Sequence, residues 1–163
     1  MTIYFLRHAS AGEKKKDPTK DAHRALDRDG IEQAVRMGRV LAALESHLDA
    51  IFASPLKRAV QTAAAVANEM GFEGKIQSEP ALAPDATYAA FQQMLAKHSG
   101  HDSILVVGHN PNLSQFLGRM LGTASHPVRV ELRKGGMAKL VTGRPGAALH
   151  WLLTPKAVNV KRS

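Results

Sequence analysis

Four residues of this 163-residue chain could together hold and transfer an anion: Arg7, His8, Arg58 and His109. Arg7 and His8 end the apolar run in "MTIYFLRHAS". A second apolar run, "DAIFAS", ends on Ser54, with Arg58 about one helical turn later and Thr62 beyond it. His109 follows "SILVVG", directly before a helix start. A guanidinium fork matches two oxygens of an anion at once. Imidazole, with an ordinary pKa near ~6.5, can meet an anion either as a neutral N–H donor or as a cation near neutral pH. Each residue also has a plain reading: His8 as a histidine where a strand reaches water, Arg58 as an exposed base, His109 as a neutral cap. Arg58 and Lys57 sit in the first turn of a helix, where the macrodipole disfavours each cation by about 0.3–1 kcal/mol. Such a departure from a local rule is expected at functional sites.

The elements that must position these groups alternate. Ile3–Leu6 reads as a buried strand, followed by a polar loop to about Arg24. Asp27 caps a helix whose inner face carries Ile31, Ala34, Val35, Gly38, Leu41 and Ala42. "DAIFAS" is a short strand leading into a helix with Ser54 as cap, Pro55 at its first position and Gly71 as its left-handed stop. Its inner stripe is Leu56, Ala59, Val60, Ala63, Ala67 and Met70. A weaker strand near Lys75–Ser78 and a helix from Thr87 to about His98 follow. "SILVVG" has the continuous apolar character of a strand buried on both faces. The next helix has Asn110 as cap, Pro111 at its first position and Gly122 as stop; "VRVEL", "GMAKLVTG" and "ALHWLLT" read as closing strands. This order predicts a three-layer α/β/α sandwich, a mostly parallel sheet with antiparallel strands near the C-terminus, as one domain over residues 1–163. In such sheets ligands lie beyond the carboxyl ends of the strands. If the three strands are parallel neighbours, two arginines and two histidines converge there.

Composition narrows the choices. The chain is 44% hydrophobic and 22% charged, ordinary for a soluble protein, and has no apolar run of spanning length. No signal peptide is expected, and a cytoplasmic location is the default. Cysteine is absent, which removes disulfides and cysteine-nucleophile phosphatase chemistry. The net charge of +8 includes the clusters "EKKK" and "VKRS". It serves solubility or attracts an acidic partner. No aromatic-rich strand suggests base stacking, so nucleic acid is not expected.

"RHA" after the first strand, "SPLKRAVQTA" and "VVGHNP" resemble the signature elements of the histidine phosphatase (phosphoglycerate mutase-like) superfamily. "LDRDGIEQA" resembles the opening of that family's helix, with Asp27 where Thr or Ser is commoner. These elements run in family order from Ile3 to about Leu121, and the compact length resembles the SixA-type phosphohistidine phosphatases. The resemblance implies a phosphoglycerate mutase-like fold and a phosphoenzyme intermediate on His8, with Arg7, Arg58 and His109 on the phosphoryl oxygens and Arg24 as a further pocket member. It implies no cofactor and no metal, a phosphate or other oxyanion in the pocket, and a phosphohistidine-bearing phosphotransfer domain or phosphocarrier as substrate. Neither a membrane nor a nucleic acid is an expected partner; the chain is expected to be a monomer or weak homodimer.

The departure from the family concerns the proton donor. Relatives that cleave alkyl phosphates carry a carboxylate after the second long helix; here that region reads "SEPALAPDATYAAF", with Asp85 and Glu79 as candidates but without the mutase-type context. Phosphohistidine relaxes this demand, because its imidazole leaves readily once protonated by solvent. Two rival readings remain: a small-molecule phosphomonoesterase using Asp85 or Glu79, and an idle phosphate-recognising module. "DRDG" at Asp27–Gly30 reads as a helix cap rather than a calcium loop, and His98 and His101 as exposed loop histidines rather than a metal pair.

Overall fold

The computed structural model describes residues 1–123 and 125–159. The basic "VKRS" cluster therefore lies outside the described residues. In chain order the elements are β1 (Thr2–Arg7), α1 (Pro18–Ala22), α2 (Arg28–Leu44), β2 (Ala50–Ala53), α3 (Lys57–Glu69) and β3 (Gln77–Ser78). A single 3-10 turn at Pro80–Leu82 precedes α4 (Tyr88–Lys97), β4 (Ser103–Gly108), α5 (Asn112–Leu121), β5 (Met137–Thr142) and β6 (Ala147–Leu153). One sheet runs β3-β2-β4-β1-β5-β6. Its first four strands are parallel; β5 pairs antiparallel with β1, and β6 with β5.

The alternation of side chains across a strand divides the core into two layers. Ile3, Phe5, Phe52, Ile104 and Val106 pack with Phe91, Leu113 and Phe116 of α4 and α5. On the opposite face Tyr4, Leu6, Ile51, Leu105 and Val107 pack with Met37 and Leu41 of α2 and with Ala59, Ala63 and Val66 of α3. This is the three-layer arrangement expected from the sequence. The three strands that carry the anion-binding residues are direct neighbours, with Arg7 opposite Gly108 and Ala53 opposite Val107. Hydrogen bonding continues one step past the strands: His8 N–H donates to Gly108 O, and Ser54 N–H to Val107 O, both at 2.9 Å. The loops that follow thus leave the sheet from fixed points.

Several local expectations need correction. Helix α2 is capped by Asp27 as expected, but Ile31 is 52% exposed and Ala42 is exposed; the buried face is Gly30, Ala34, Met37, Gly38 and Leu41. Gly38 is the reason for this rotation, since a Cβ there would meet Glu69 Cβ at 2.9 Å and Val66 Cα at 3.0 Å. The backbones of α2 and α3 meet at that glycine. In α3 the helix starts at Lys57 rather than Pro55, with Leu56 at the cap position. Val60 faces solvent, while Arg58 and Thr62 are buried with Ala59, Ala63, Val66 and Ala67. Thr62 can sit in the inner stripe because its hydroxyl is satisfied, accepting Ala9 N–H and donating to Arg58 O. Gly71 does end the helix region with φ +62°.

Helix α5 begins at Asn112, one residue after Pro111, and Gly122 ends it without a left-handed φ. "VRVEL" forms no strand. Both edges of β1 are already taken by β4 and β5, so this stretch lies along α5, with Val128 N–H on Gly118 O at 3.0 Å and Leu132 N–H on Ser114 Oγ at 3.0 Å. His98 and His101 are both half-buried, and the His98 ring lies tilted with its centroid 4.3 Å from that of Phe52, so neither is the exposed loop histidine expected. No described helix is long and apolar enough to cross a membrane.

Candidate active site

A cavity of about 660 Å³ opens beyond the carboxyl ends of β1, β2 and β4. Arg7, His8, Arg24, Arg58 and His109 all line it. His8, Arg58 and His109 are buried, at 7%, 5% and 3% exposure. The two imidazole centroids are 5.0 Å apart.

Each side chain is held from behind. His8 Nδ1–H donates to Ala9 O at 2.8 Å, an assignment that follows from the carbonyl being an acceptor only. The ring's lone pair therefore sits on Nε2. The peptide after His8 is fixed by Thr62, whose hydroxyl accepts Ala9 N–H at 3.1 Å and donates to Arg58 O at 2.7 Å. Arg7 Nη1 donates to Leu132 O at 3.1 Å. Arg58 Nη1 donates to Asp21 O at 2.9 Å and lies 3.3 Å from Asp21 Oδ2. Arg24 Nε meets Asp21 Oδ1 at 2.9 Å, and its Nη1 reaches Gly12 O at 2.9 Å. Asp21 is thus the hinge-pin between the two arginines, a role the sequence reading missed. Nothing in the sequence singled it out, because Asp21 lies in a stretch read as polar loop and meets Arg58 only through the fold.

Ser54, expected only as a cap, performs a different task. Its Oγ accepts Leu56 N–H at 3.3 Å and lies 2.7 Å from His109 Nε2. His109 Nε2 is the only acceptor the Ser54 hydroxyl meets among the described residues, so its proton is assigned there, which places the ring proton on Nδ1. That Nδ1, together with Arg7 Nε and Arg58 Nε, is buried without a protein partner. Unpaired buried donors in a native structure call for a ligand or a functional reason. Here all three belong to cavity residues, and all three are cations or neutral donors suited to an oxyanion.

Electrostatics favour the same ligand. Five cations, Arg7, Lys14, Arg24, Arg58 and Lys134, line the cavity against three carboxylates, Glu13, Asp21 and Asp27. Burial, with the neighbouring arginines adding to it, lowers the pKa of His8 to about 4. Burial first, then His8 and Arg58, lowers that of His109 to about 3. Both imidazoles are neutral at pH 7, so His8 Nε2 is a competent nucleophile there. Asp21 is held ionised, at about 2, by the hydrogen bonds from Arg24 and from Lys15 N–H. Asp27 also lies below its ordinary value: burial opposes this, and the Gly30 N–H and Ser10 hydroxyl outweigh it.

The two acid candidates from the sequence lie elsewhere. Glu79 pairs with His98 at 3.3 Å, and neither lines the cavity. Asp85 is exposed; its neighbour Pro84 reaches the cavity wall, but Asp85 does not. Among the described residues no group of three or more His, Asp or Glu is arranged to hold a metal.

Comparison with known proteins agrees with this geometry. The family model of the histidine phosphatase superfamily (branch 1) matches residues 3–83. A protein of uncharacterised function from Picosynechococcus sp. (strain ATCC 27264 / PCC 7002 / PR-6) is 31% identical over 154 residues, covering 92% of this chain and 90% of its own. The fold is similar to that of the protein histidine phosphatase SixA complexed with tungstate, with TM-score 0.83, 19% identity and coverage of 96% and 98% of the two chains. A protein named SixA from Agrobacterium tumefaciens gives TM-score 0.80 at 25% identity over 94% and 97%. The α-ribazole phosphatase from Shigella flexneri gives 0.76 at 18% identity over 99% and 100%. By family match and by fold, the chain belongs to the histidine phosphatase superfamily.

Proposed function

We propose that the protein hydrolyses phosphohistidine on a protein substrate through a phosphoenzyme intermediate on His8. The observation that carries the choice of substrate is the state of the carboxylates. Asp21 is tied ionised to Arg24 and Arg58, and Asp27 caps α2. Glu79 and Asp85 are outside the cavity, and Glu13 stands exposed on its rim. Among the described residues the two hydrogen-bonded cavity carboxylates, Asp21 and Asp27, are shifted down rather than up, whereas a raised pKa is the usual mark of a general acid. An alkoxide leaving group needs such an acid, whereas a phosphohistidine imidazole protonated by solvent leaves as a neutral ring.

In the first step His8 Nε2 attacks phosphorus in line, the substrate P–N bond breaks, and its electron pair stays on the departing imidazole. Water then attacks the phosphoryl group on His8, giving inorganic phosphate and restoring the neutral ring. Arg7, Arg58 and the Nδ1–H of His109 would stabilise charge on the three equatorial oxygens, the main catalytic task in phosphoryl transfer. Arg24 acts through Asp21 to keep Arg58 in place. The basic surface suits an acidic phosphotransfer domain or phosphocarrier in the cytoplasm.

The test is to trap the intermediate from a phosphohistidine donor. Wild type is expected to take an acid-labile, base-stable label, and His8→Ala to take none and to lose essentially all turnover. Robust hydrolysis by pure His8→Ala protein would refute the mechanism. A second reading, a small-molecule phosphomonoesterase, draws on the α-ribazole phosphatase fold and on Asp85 standing beside the cavity-lining Pro84. Asp85→Asn separates the two: it leaves P–N cleavage intact and abolishes monoester turnover only if Asp85 is the acid.

A further inference from the structure

The turn Arg133–Gly136 is fastened to the strand that carries His8. Gly135 N–H donates to both Arg7 O and His8 O at 3.1 Å, and Arg7 N–H donates to Gly136 O at 3.1 Å. Gly135 has φ +69°, and a Cβ there would meet Pro155 at 2.9 Å, so only glycine lets the turn sit this close. The exposed side chains of Arg133 and Lys134 therefore ride on backbone fixed relative to the active cavity.

On the other side of this turn lies a second cavity of about 440 Å³. Arg133, Lys134 and Lys156 converge on it, Gln33 and Thr154 are its uncharged polar members, and among the described residues no carboxylate lines it. Arg133 also meets Glu131 at 3.2 Å, a contact open to solvent on both sides and so weak. Lys134 lines both cavities, so they share a wall. Three cations without a lining anion repel one another, and an anion between them relieves that repulsion.

We propose that this cavity is a second anion subsite, binding a carboxylate carried by the same molecule whose phosphoryl group enters the active cavity. The substrate class is then a phosphohistidine segment with an acidic residue beside it, which rests on the function proposed above. The subsite does not depend on which phosphoryl bond is cleaved. A series of ω-carboxyalkylphosphonates of increasing length, each paired with its carboxamide, separates the two questions.

Dissociation constants are measured by calorimetry at low salt. At the best-fitting length, wild type should bind the carboxylate about tenfold tighter than the amide, and salt should erode the difference. Arg133→Gln/Lys156→Gln should bring the ratio close to one, while Lys75→Gln/Lys97→Gln, with the same change in net charge, should keep it. A ratio near one in wild type at every length overturns the subsite. So does a ratio unchanged in Arg133→Gln/Lys156→Gln, or one lost equally in both variants, which would mean a diffuse field. Turnover of two phosphohistidine peptides, one flanked by Asp and one by Asn, reports separately: hydrolysis of neither removes the phosphohistidine reading and leaves the phosphonate ratio to decide the subsite.

Discussion

At the scale of single residues, the hydrogen bond from Ser54 to His109 has the most specific consequence. Removing the hydroxyl leaves His109 Nε2 without its partner at 2.7 Å, and the ring proton is then free to move from Nδ1. The donor aimed at the phosphoryl group would no longer be held in one tautomer and orientation, with no change in charge. Ser54→Ala is expected to lower kcat about tenfold or more, in line with other residues that fix an imidazole tautomer. Ser54→Thr, which keeps the hydroxyl, should recover most of it. Nitrogen chemical shifts of His109 check the cause, reading a single Nδ1–H tautomer in wild type and a mixture in Ser54→Ala. An unchanged kcat in a folded Ser54→Ala protein would remove Ser54 from the machinery. The sequence announced Arg7, His8, Arg58 and His109 through residue type at the ends of apolar runs. It could not announce Ser54's role, because a serine before Pro55 looks like any cap until His109 is seen across the sheet, 55 positions away.

The next scale is the element, where the stretch Pro127–Leu132 links α5 to the active cavity. Its alternating "VRVEL" pattern reads as a strand, but the stretch forms none. Pairing is a property of the partner strand, however, and β1 has no free edge. What the stretch does instead is hold side chains: Leu132 O accepts both Arg7 Nη1 and, at 2.8 Å, Asn110 Nδ2. Close approach to α5 depends on Gly118, where a Cβ would meet Val128 O at 2.1 Å. Backbone cannot step aside as a side chain can. Gly118→Ala should therefore cost about 1–3 kcal/mol of stability, as overpacking typically does. It should also lower kcat/KM at temperatures where the protein stays folded, by moving Leu132 O off Arg7. Gly143→Ala, with nothing within 4 Å of its Cβ, is the neutral control. Full activity in folded Gly118→Ala would show that Arg7 needs no support from this element. The face of α2 has a similar lesson, since a hydrophobic stripe centred on Ile31 was the natural reading. The backbone contact at Gly38 turned the helix so that Met37 packs inward instead.

For the molecule as a whole, the active cavity is a site of stored instability toward acid. His8 and His109 keep depressed pKa values of about 4 and about 3 in the folded chain, against about 6.5 in the unfolded chain. Between pH 6.5 and 4 the unfolded chain binds two protons that the folded chain refuses. Stability therefore rises with pH across that window, by up to about 1.4 kcal/mol per pH unit for each histidine, and falls as acid is added. Below about pH 4 the sign stays the same: His109 contributes down to about pH 3, and Asp21, Asp27 and Asp49, all held below their ordinary values, are protonated in turn and their stabilisation is lost. Denaturant unfolding of wild type should lose several kcal/mol from pH 7 to pH 4. His8→Asn/His109→Asn should flatten that part of the curve and leave the part below about pH 3, where the carboxylates dominate, in place. The difference between the two proteins isolates the pair from the exposed histidines. An equal slope in both would mean that the cavity does not hold its imidazoles neutral, and with that the case for His8 as a ready nucleophile would go. An oxyanion acts on the same balance from the other side: phosphate or vanadate, bound only by the folded chain, should raise the unfolding midpoint at pH 7 in wild type by mass action. In Arg58→Ala that rise should be largely lost, because burying Arg58 is what makes the cavity an anion site.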